Sequence, residues 1–276
     1  MEYLFRARES IRAKVLGAPR LYLALDYDGT LTRIVTDRRR ALLPKRTREL
    51  LRTLASSTRC LLTIVSGRRL PDLMKLVDID RAYYMGNHGL EIRGPGFRFV
   101  HTGAKRLSHY LPELSRQLNE RLCGTGAFVE NKGLTLSVHY RNARQREVPK
   151  ILSTIRLVLR DDEMFEANYD KKVVDVRPSL SWNKGSALEV LMQHLGRYPV
   201  IYIGDDRTDE DAFMKFRDAI TVIVSPRPKA SAAPLLLEKY RRRRTIPQTF
   251  QFLAPRVVWK LNRENLADGS TIENLR

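Results

Sequence analysis

Cysteine is scarce in this sequence, which contains only Cys60 and Cys123 among its 276 residues. Two cysteines leave no room for a disulfide framework of the kind that stabilises small secreted domains. Cys60 also lies within the apolar run CLLTIV, so we expect a buried thiol in a reducing compartment rather than a disulfide.

Long apolar runs are also absent. No stretch approaches the ~18 consecutive apolar residues that a membrane-spanning helix needs. The first residues, MEYLFRARESIRAK, contain no apolar segment resembling a signal peptide. We therefore expect a protein with no membrane partner and a cytoplasmic location.

Acidic residues are few beside basic ones. The chain has 31 Asp and Glu against 50 Lys and Arg, a formal charge of +19 at pH 7. Such a balance favours anionic partners, among them nucleic acid, an anionic surface or an anionic substrate. The basic clusters at 38–40 and 241–244 are not interleaved with aromatic residues that would stack on bases, so we do not expect nucleic acid. A solvated basic surface that attracts a dianionic substrate is our first interpretation, and an anionic polymer or protein partner is the alternative.

Five apolar runs have the length of strands and are continuous rather than alternating, which is typical of parallel strands covered on both faces. They are LYLAL (21–25), CLLTIV (60–65), AYYM (82–85), VIYI (200–203) and ITVIV (220–224). Helical patterns lie between some of them, notably at 44–57 and 186–195. Strands that alternate with helices predict an α/β fold with a doubly wound, mostly parallel sheet.

The middle of the chain has a different pattern. Leu134, Leu136, Val138 and Tyr140 alternate with polar residues, which predicts a half-solvated antiparallel strand. One helical pattern precedes this strand and another follows it. We therefore predict an α+β module over residues 107–177, inserted into an α/β core made of 1–106 and 178–276.

Four polar clusters follow predicted core strands or precede a helix, where open α/β sheets bind their ligands. They are DYDGT (26–30), SGR (66–68), NKG (183–185) and GDDRTD (204–209). Each alone is consistent with an ordinary turn or a charged first turn of a helix. Together, at one edge of one sheet, they predict a single polar crevice.

The spacing of Asp26 and Asp28 indicates the chemistry of that crevice. Two carboxylates so close together are costly to bury without partners. Mg²⁺, which takes oxygen ligands, and a phosphate would offset that cost. Asp26 is then placed as nucleophile and metal ligand, and Asp28 as the acid that protonates a leaving oxygen and later takes a proton from water. Ser66 and the neighbouring backbone would bind phosphoryl oxygens, while Lys184 offsets their charge.

The acidic run after the fourth strand completes the predicted site. Asp205 is expected to bind the metal, and Asp209, about one turn further on, to orient Lys184 or a water on the metal. The predicted ligands form two sets. The metal ligands are Asp26, Asp28, Asp205 and Asp209, and the phosphate ligands are Ser66, Gly67 and Lys184.

These clusters, in this order, resemble the four motifs of the haloacid dehalogenase superfamily. More narrowly, LDYDGTL, VSGR, GNHGLEI, ENKGLTLSVHYR, VVDVRP and YIGDDRTDEDAF resemble the trehalose-6-phosphate phosphatases, over about Leu21 to Ala232. The resemblance implies an enzyme, a phosphoric monoester hydrolase of trehalose biosynthesis with a Rossmann-like core and a cap. It implies a phosphoaspartate on Asp26, a requirement for Mg²⁺, and hydrolysis of trehalose 6-phosphate to trehalose and phosphate.

The resemblance also assigns sugar-binding residues, most of them in the cap. They are Arg68, Asn87, His88, Glu130, Lys132, His139 and Asp175. Asp175 departs from the family, which usually has glutamate there, so its carboxylate reaches about one methylene less and hydroxyl selectivity could differ. His88 has a second interpretation, in which its neutral ring only holds the loop.

Two alternatives keep the fold. One is a phosphatase of the same superfamily that acts on another glycosyl or hexose phosphate, and the other is a non-catalytic sugar-phosphate sensor. The 276 residues leave no room for the glycosyltransferase that makes the substrate. A separate trehalose-6-phosphate synthase is therefore the expected protein partner, beside the small sugar phosphate. The polar tail beyond about Asn262 matches no pattern.

Overall fold

The computed structural model describes residues 2–35, 40–170 and 172–238. Within these ranges the chain forms two separate β-sheets with helices packed on both. The predicted basic clusters at 38–40 and 241–244, apart from Arg40, and the tail beyond Asn262 lie outside the described residues.

The described strands and helices alternate along most of the chain. In chain order the strands are β1 (Glu2–Tyr3), β2 (Leu21–Asp26), β3 (Cys60–Val65), β4 (Tyr83–Gly86), β5 (Glu91–Gly94), β6 (Phe97–Val100), β7 (Phe128–Asn131), β8 (Leu136–His139), β9 (Phe165–Asp170), β10 (Val173–Pro178), β11 (Val200–Gly204), β12 (Ile220–Ser225) and β13 (Leu235–Glu238). The α-helices are α1 (Arg8–Leu16), α2 (Lys45–Ser56), α3 (Leu70–Val77), α4 (Thr102–Leu107), α5 (Leu111–Leu122), α6 (Val148–Val158), α7 (Lys184–Leu195) and α8 (Arg207–Lys215).

The larger sheet has nine strands in the order β1-β13-β12-β11-β2-β3-β4-β5-β6. In this sheet order, every pair of neighbouring strands between β1 and β4 is parallel. Only the β4–β5 and β5–β6 pairs are antiparallel. Helices α1, α2 and α3 cover one face, and α7 and α8 cover the other. The predicted doubly wound, mostly parallel α/β sheet is confirmed.

The strand order changes direction at β2. From β2 the chain continues to β3 and β4 on one side, whereas β11, β12 and β13 build the sheet on the other. In open α/β sheets, ligands bind outside the carboxyl ends of the strands at such a switch point. Asp26, the last residue of β2, lies at that point.

The smaller sheet is antiparallel, in the order β7-β8-β10-β9. Helices α5 and α6 pack on one of its faces, where the core includes Leu118, Val138, Ile151 and Val174. These elements form an α+β module over residues 111–178. We name this module the cap; its boundaries at 107 and 177 stay a prediction.

One local prediction for the cap was wrong. The alternation in β8 predicts a half-solvated strand, but Leu136, Ser137 and Val138 are all buried. The reason is tertiary: the polar face of this sheet contacts the core through Lys132 and Asp175.

The two cysteines are free thiols, Cys60 buried in β3 and Cys123 exposed after α5. Burial raises the pKa of the Cys60 thiol to about 12, so it stays protonated and unreactive. In the part of the chain that the structure describes, no helix is long and apolar enough to span a bilayer.

Candidate active site

Asp26 is the centre of an acidic cluster at the end of β2. The carboxylates of Asp26, Asp205 and Asp209 offer oxygen atoms that all lie within 4.8 Å of one another. Asp26 Oδ1 accepts a hydrogen bond of 2.9 Å from Lys184 Nζ. Asp26 Oδ2 is buried and accepts none from the described residues, which is rare for a carboxylate oxygen and indicates a further partner there.

Burial raises the pKa of Asp26 well above its ordinary value, although Lys184 acts in the opposite direction. The neighbouring carboxylates of Asp209, Asp206 and Asp205 raise it further. A second positive charge at this position would therefore be needed to keep Asp26 anionic and nucleophilic.

Lys184 is the first residue of α7, and the side chain of Asn183 caps that helix. The helix thus begins two residues earlier than the predicted 186. The ammonium donates to Asp26 Oδ1 at 2.9 Å and to Asp209 Oδ1 at 2.7 Å, and lies 3.6 Å from Asp206 Oδ1. Burial alone would lower the pKa of Lys184, but the three carboxylates raise it well above its ordinary value, so the group stays charged.

Asp209 is held by donors on every side. Its Oδ1 accepts from Lys184 and from the Tyr202 hydroxyl, at 3.0 Å, and its Oδ2 accepts from the backbone N–H groups of Asp205 and Asp206. These last two bonds belong to the start of α8, where Asp206 and Asp209 form a reciprocal capping box. The structure thus places Asp209 where it orients Lys184, one of its two predicted roles.

The formal charge of this cluster fits a divalent cation. Asp26, Asp205, Asp206 and Asp209 contribute four negative charges and Lys184 one positive charge, which leaves an excess of three negative charges around buried oxygen atoms. Hard cations such as Mg²⁺ prefer carboxylate oxygens of this kind. The donor set therefore fits magnesium.

Two glycines allow the carboxylates to approach the backbone so closely. A Cβ atom on Gly29, whose φ is +100°, would lie 2.2 Å from an oxygen of Asp205. A Cβ atom on Gly204 would lie 2.2 Å from Cγ of Asp209. Any side chain at these positions would displace the acidic groups from Asp26.

Asp28 lies in a different environment from Asp26. Arg68 binds its carboxylate in a bidentate manner, with Nε–Oδ2 and Nη2–Oδ1 distances of 2.7 and 2.6 Å. Ser66 Oγ donates to Asp28 Oδ2 at 3.2 Å. Arg68 also lies over the ring of Tyr27, 5.4 Å from its centroid. The prediction of Asp28 as a metal ligand gains no support from its carboxylate, which lies outside the acidic cluster around Asp26.

The loop after β3 supplies two of the three predicted phosphate ligands, Ser66 and Gly67. Ser66 is buried beside Asp28, and its Oγ also accepts from the backbone N–H of Arg68 at 3.1 Å. Gly67 packs against His88 so closely that a Cβ atom would lie 2.4 Å from the imidazole Cε1. Ser66 thus contacts Asp28, and Lys184 contacts Asp26, in the segment that carries both aspartates.

Asn87 and His88 follow β4 with φ values of 47° and 58°, in the left-handed region that residues other than glycine seldom adopt. His88 Nε2 lies 3.3 Å from Asp175 Oδ2. Burial, and then the positive charge of Arg177, lower the pKa of His88 to about 3, so its ring is neutral. The structure places His88 between the Gly67 loop and the cap, and both interpretations of this residue stay predictions.

Asp175 is the central residue of the contacts between cap and core. Its Oδ1 accepts from Lys132 Nζ at 3.1 Å and from Ser137 Oγ, while its Oδ2 faces His88 and lies 3.9 Å from Arg177 Nη2. Burial alone would raise the pKa of Asp175, but Lys132 and the other neighbours hold it well below its ordinary value. Oδ1 already accepts two hydrogen bonds from the protein, and binding of a sugar hydroxyl by Asp175 stays a prediction.

Lys132 reaches from the cap into the core. Its Nζ donates to the carbonyl oxygen of Gly67 at 2.8 Å. Nearby, Asn87 Nδ2 donates to the Lys132 carbonyl oxygen at 3.3 Å, and Thr135 Oγ1 donates to Asn87 Oδ1 at 2.8 Å. The turn at 132–135 is therefore docked on the loops that follow β3 and β4, and the cap is closed over the crevice.

Glu130 and His139 lie on the same face of the cap sheet. His139 Nε2 and Glu130 Oε2 are 2.8 Å apart, and Glu130 is close enough to Arg68 to contribute to its raised pKa. The two residues therefore line the space between the cap sheet and the Asp28–Arg68 pair.

Sequence analysis missed several polar residues that support the site. They are Thr135, Ser137, Tyr202 and Asp206. Ser137 was detectable, because it pairs in register with Asp175 and Glu130 on a strand whose alternation was recognised. The sequence DRTD at 206–209 indicates a capping box. Tyr202 lies within an apolar strand, and no local pattern distinguishes it.

Comparison with known proteins agrees with this geometry. A sequence model described as Trehalose-phosphatase matches residues 24–239. The chain is 35% identical over 261 residues to a probable trehalose-phosphate phosphatase J of Arabidopsis thaliana, covering 87% of this chain and 68% of that protein. It also resembles the C-terminal domain of a Candida albicans trehalose-6-phosphate phosphatase, with a TM-score of 0.77, 22% identity, and coverage of 93% and 98%. A haloacid dehalogenase-like hydrolase from Bacteroides thetaiotaomicron has a TM-score of 0.60 at 15% identity, covering 84% of this chain and 98% of the other. The structural likeness shows the haloacid dehalogenase-like fold.

Proposed function

This chain belongs to the trehalose-phosphatase family, and we propose that it hydrolyses trehalose 6-phosphate to trehalose and phosphate, with Mg²⁺ as cofactor. The observation that carries the proposal is the acidic cluster around Asp26. A buried carboxylate oxygen without a hydrogen bond from the described residues, beside a charged lysine, fits a nucleophile that works with a cation and a phosphate.

Asp26 is the proposed nucleophile. One of its carboxylate oxygens attacks phosphorus, the bond from phosphorus to the sugar oxygen breaks, and a phosphoaspartate forms. Asp28 donates a proton to the departing sugar oxygen. In the second half-reaction Asp28 takes a proton from water, whose oxygen attacks the phosphoaspartate, so that phosphate leaves and Asp26 is restored.

Ser66 and Lys184 are the proposed phosphate ligands. The Lys184 ammonium is fixed by Asp26 and Asp209, so it needs no rearrangement to stabilise charge that develops on the phosphoryl group. The Ser66 hydroxyl lies beside Asp28, on the other side of the crevice.

Asp26 and Asp205 are the residues that would hold Mg²⁺, with Asp209 nearby to complete the acidic surroundings. The ion would offset the negative charge of the phosphate and of the Asp26 carboxylate. The role of this chain is to supply carboxylate oxygen ligands at close mutual distance.

The cap is proposed to exclude water and to bind the sugar. Lys132 and Asp175 join the cap to the Gly67 loop and to His88, which closes the crevice above Asp28. Closure of this kind protects a phosphoryl transfer from bulk water, and reopening releases the product. Glu130 and His139 are the proposed sugar-binding residues, because they line the crevice beside Arg68.

The experiment is a phosphate-release assay with trehalose 6-phosphate, sucrose 6-phosphate, glucose 6-phosphate and p-nitrophenyl phosphate. Wild type, Asp26→Asn and the control Asp72→Asn, which alters an exposed aspartate in α3, are each assayed with Mg²⁺ and with a chelator. We expect preference for trehalose 6-phosphate, abolished by the chelator and by Asp26→Asn only. Phosphate release that survives both treatments contradicts the mechanism. Preference for another sugar phosphate would instead support a phosphatase of the same superfamily that acts on another glycosyl or hexose phosphate.

We also propose a cytoplasmic location and a separate synthase that supplies the substrate. Both follow from the sequence and the family. Co-purification of the native protein with its synthase from cytosolic extracts would test them, and recovery in a membrane or secreted fraction would contradict the location.

A further inference from the structure

Phe128 is more exposed than any other phenylalanine, tyrosine or tryptophan among the described residues, with 62% of its surface accessible. It is the first residue of β7, the edge strand of the cap sheet. Single exposed apolar residues are common, so exposure alone carries no function. A function for Phe128 is indicated by its neighbours on the same face of the sheet.

Phe128 shares its face of the sheet with residues that reach the core. Side chains two residues apart on a strand point to the same side, so Phe128 is aligned with Glu130 and, just beyond the strand, with Lys132. The register agrees, since Phe128 pairs with His139, and Glu130 with Ser137, which in turn pairs with Asp175. This is the face whose lysine donates to the Gly67 carbonyl, so it is the crevice face.

Exposure increases steadily along this row of side chains. The side chain of Lys132 is 0% exposed, that of Glu130 is 30% exposed, and Phe128 is 62% exposed. Four residues of extended chain span about 13 Å. The crevice therefore has a closed end at the Gly67 loop, where the phosphate is proposed to bind, and an open end at Phe128.

The open end has the composition of a carbohydrate-binding surface. The rings of Phe128 and His139 are stacked, with centroids 6.0 Å apart and planes 20° apart. Glu130 holds His139 through its Nε2 atom, so the imidazole is fixed in orientation. A pyranose presents C–H groups on its faces and hydroxyls at its rim. The negative face of an aromatic ring attracts such C–H groups, and a neighbouring carboxylate and imidazole can bind the hydroxyls.

We propose that Phe128, backed by His139 and Glu130, is the stacking platform for the sugar ring of the substrate that carries no phosphate. The proposal rests on the proposed function, because it needs a disaccharide phosphate whose phosphorylated ring lies toward Asp28. Phe128 then selects for a second ring: a monosaccharide phosphate gains nothing from it, whereas a disaccharide phosphate covers it.

The test compares Phe128→Ala, Phe128→Trp and a control from the same sheet, Tyr169→Ala. Tyr169 is 41% exposed but lies on the helix side, where Arg156 of α6 packs over its ring at 5.8 Å. The KM and kcat of each variant are measured with trehalose 6-phosphate and with p-nitrophenyl phosphate, in Mg²⁺. Thermal melts establish that all variants are folded.

Loss of an aromatic contact of this size predicts a KM for trehalose 6-phosphate that is roughly 3- to 10-fold higher in Phe128→Ala. The kcat value and the turnover of p-nitrophenyl phosphate should stay close to wild type, Phe128→Trp should restore the KM, and Tyr169→Ala should change neither substrate.

Equal KM values for wild type and Phe128→Ala with trehalose 6-phosphate overturn this inference and leave the proposed function standing. Wild type that prefers glucose 6-phosphate, which has a single ring, overturns both. Phe128→Ala that changes the oligomeric state on size-exclusion chromatography, with KM unaltered, assigns the exposed ring to a contact between copies and also overturns the inference.

Discussion

Two buried lysines, one in the core and one in the cap, have almost the same exposure and opposite surroundings. The side chains of Lys184 and Lys132 are 2% and 0% exposed, and each binds an aspartate. Lys184 lies among three carboxylates, those of Asp26, Asp206 and Asp209, all from the core. The contacts of Lys132 with Asp175 and with the Gly67 carbonyl oxygen link the cap to the core.

The difference separates chemistry from recognition. Around Lys184 negative charge is in excess, which fits the proposed binding of a cation and, with it, of a phosphoryl group. Around Lys132 the ammonium is paired with the Asp175 carboxylate, and it connects two parts of the chain. Removing the first should therefore affect every substrate, and removing the second should affect mainly those that depend on the cap.

The largest effect is expected for Lys184→Met. Loss of a preorganised charge at the phosphate should lower kcat by about 10²- to 10³-fold with trehalose 6-phosphate and with p-nitrophenyl phosphate alike. Lys132→Met should mainly raise the KM for trehalose 6-phosphate. Steady-state kinetics of the two variants on both substrates measure this, and the same pattern in both variants would remove the distinction between the two regions.

Arg68 was predicted to bind the sugar, but in the structure it binds Asp28. Its substitution therefore tests whether it acts with the core or in sugar recognition. If it orients Asp28 as the proton donor, Arg68→Met should lower kcat about 10²-fold for trehalose 6-phosphate, whose alkoxide needs a proton to leave. The loss should be much smaller for p-nitrophenyl phosphate, because p-nitrophenolate leaves without one. Arg69→Met, at the exposed neighbouring position, is the control.

An equal loss of kcat on both substrates in Arg68→Met would contradict the orienting role. A rise in KM for trehalose 6-phosphate with unchanged kcat would instead return Arg68 to its predicted role in sugar binding.

Asp175→Asn tests the cap contacts directly. The change leaves the Lys132 ammonium without its carboxylate, and breaking a buried ion pair costs about 3–5 kcal/mol when the partner stays buried. Because the cap can open and hydrate Lys132, we expect a smaller loss, concentrated in the cap. Amide hydrogen exchange should accelerate in the turn at 132–135 and stay unchanged in β2 and β3.

The control for Asp175→Asn is Asp170→Asn, an exposed aspartate on the neighbouring strand β9. Uniform acceleration of exchange throughout the core in Asp175→Asn would show that Asp175 supports the whole fold rather than the closed cap.

The smallest effect concerns the pH dependence of His88. Its pKa is about 3 in the folded chain against about 6.5 when unfolded, so between these values only the unfolded state takes up the proton. Protonation in the unfolded state thus lowers the free energy of unfolding as pH falls below 6.5. The charged groups that face the His88 ring in the folded chain are Asp175, Arg177 and Lys132. Relative to His88→Gln, wild type should lose about 2 kcal/mol of unfolding free energy between pH 7.5 and pH 5.

Urea unfolding of wild type and His88→Gln at both pH values measures this difference, in which the other titrating groups largely cancel. Parallel stabilities at pH 7.5 and pH 5 would mean that His88 is accessible to protons in the folded chain, and hence that the cap is open in solution.

The core half of the candidate site was predictable because each of its residues lies at the end of an element that the sequence predicts. Asp26 ends an apolar run, Ser66 follows another, and Lys184 follows the capping Asn183. In a parallel sheet such ends meet at one edge, so spacing along the chain implies proximity in space. Within that edge, the division between the Asp26 cluster and the Asp28–Arg68 pair was not predictable, because side-chain orientation depends on partners about 40 residues away.

The contacts between cap and core could not be predicted from local sequence pattern, for a related reason. Alternation in β8 identifies two faces but not what covers the second, and the burial of Ser137 depends on the approach of the core. Likewise, the missing methylene at Asp175 was detectable, but its consequence depends on Lys132 and His88, 43 and 87 positions away along the chain.

Local sequence patterns were enough to predict the doubly wound core, an α+β module in the middle of the chain and the place of Asp26 at the end of a core strand. These follow from apolar periodicity, from strand ends and from helix caps, all of which act over a few residues. Which carboxylate faces which cation, and the contacts by which Lys132 and Asp175 close the cap, depend instead on the folded chain. Such pairings depend on buried charges finding compensating charges across the fold, because an unpaired buried charge is far more costly than any local preference.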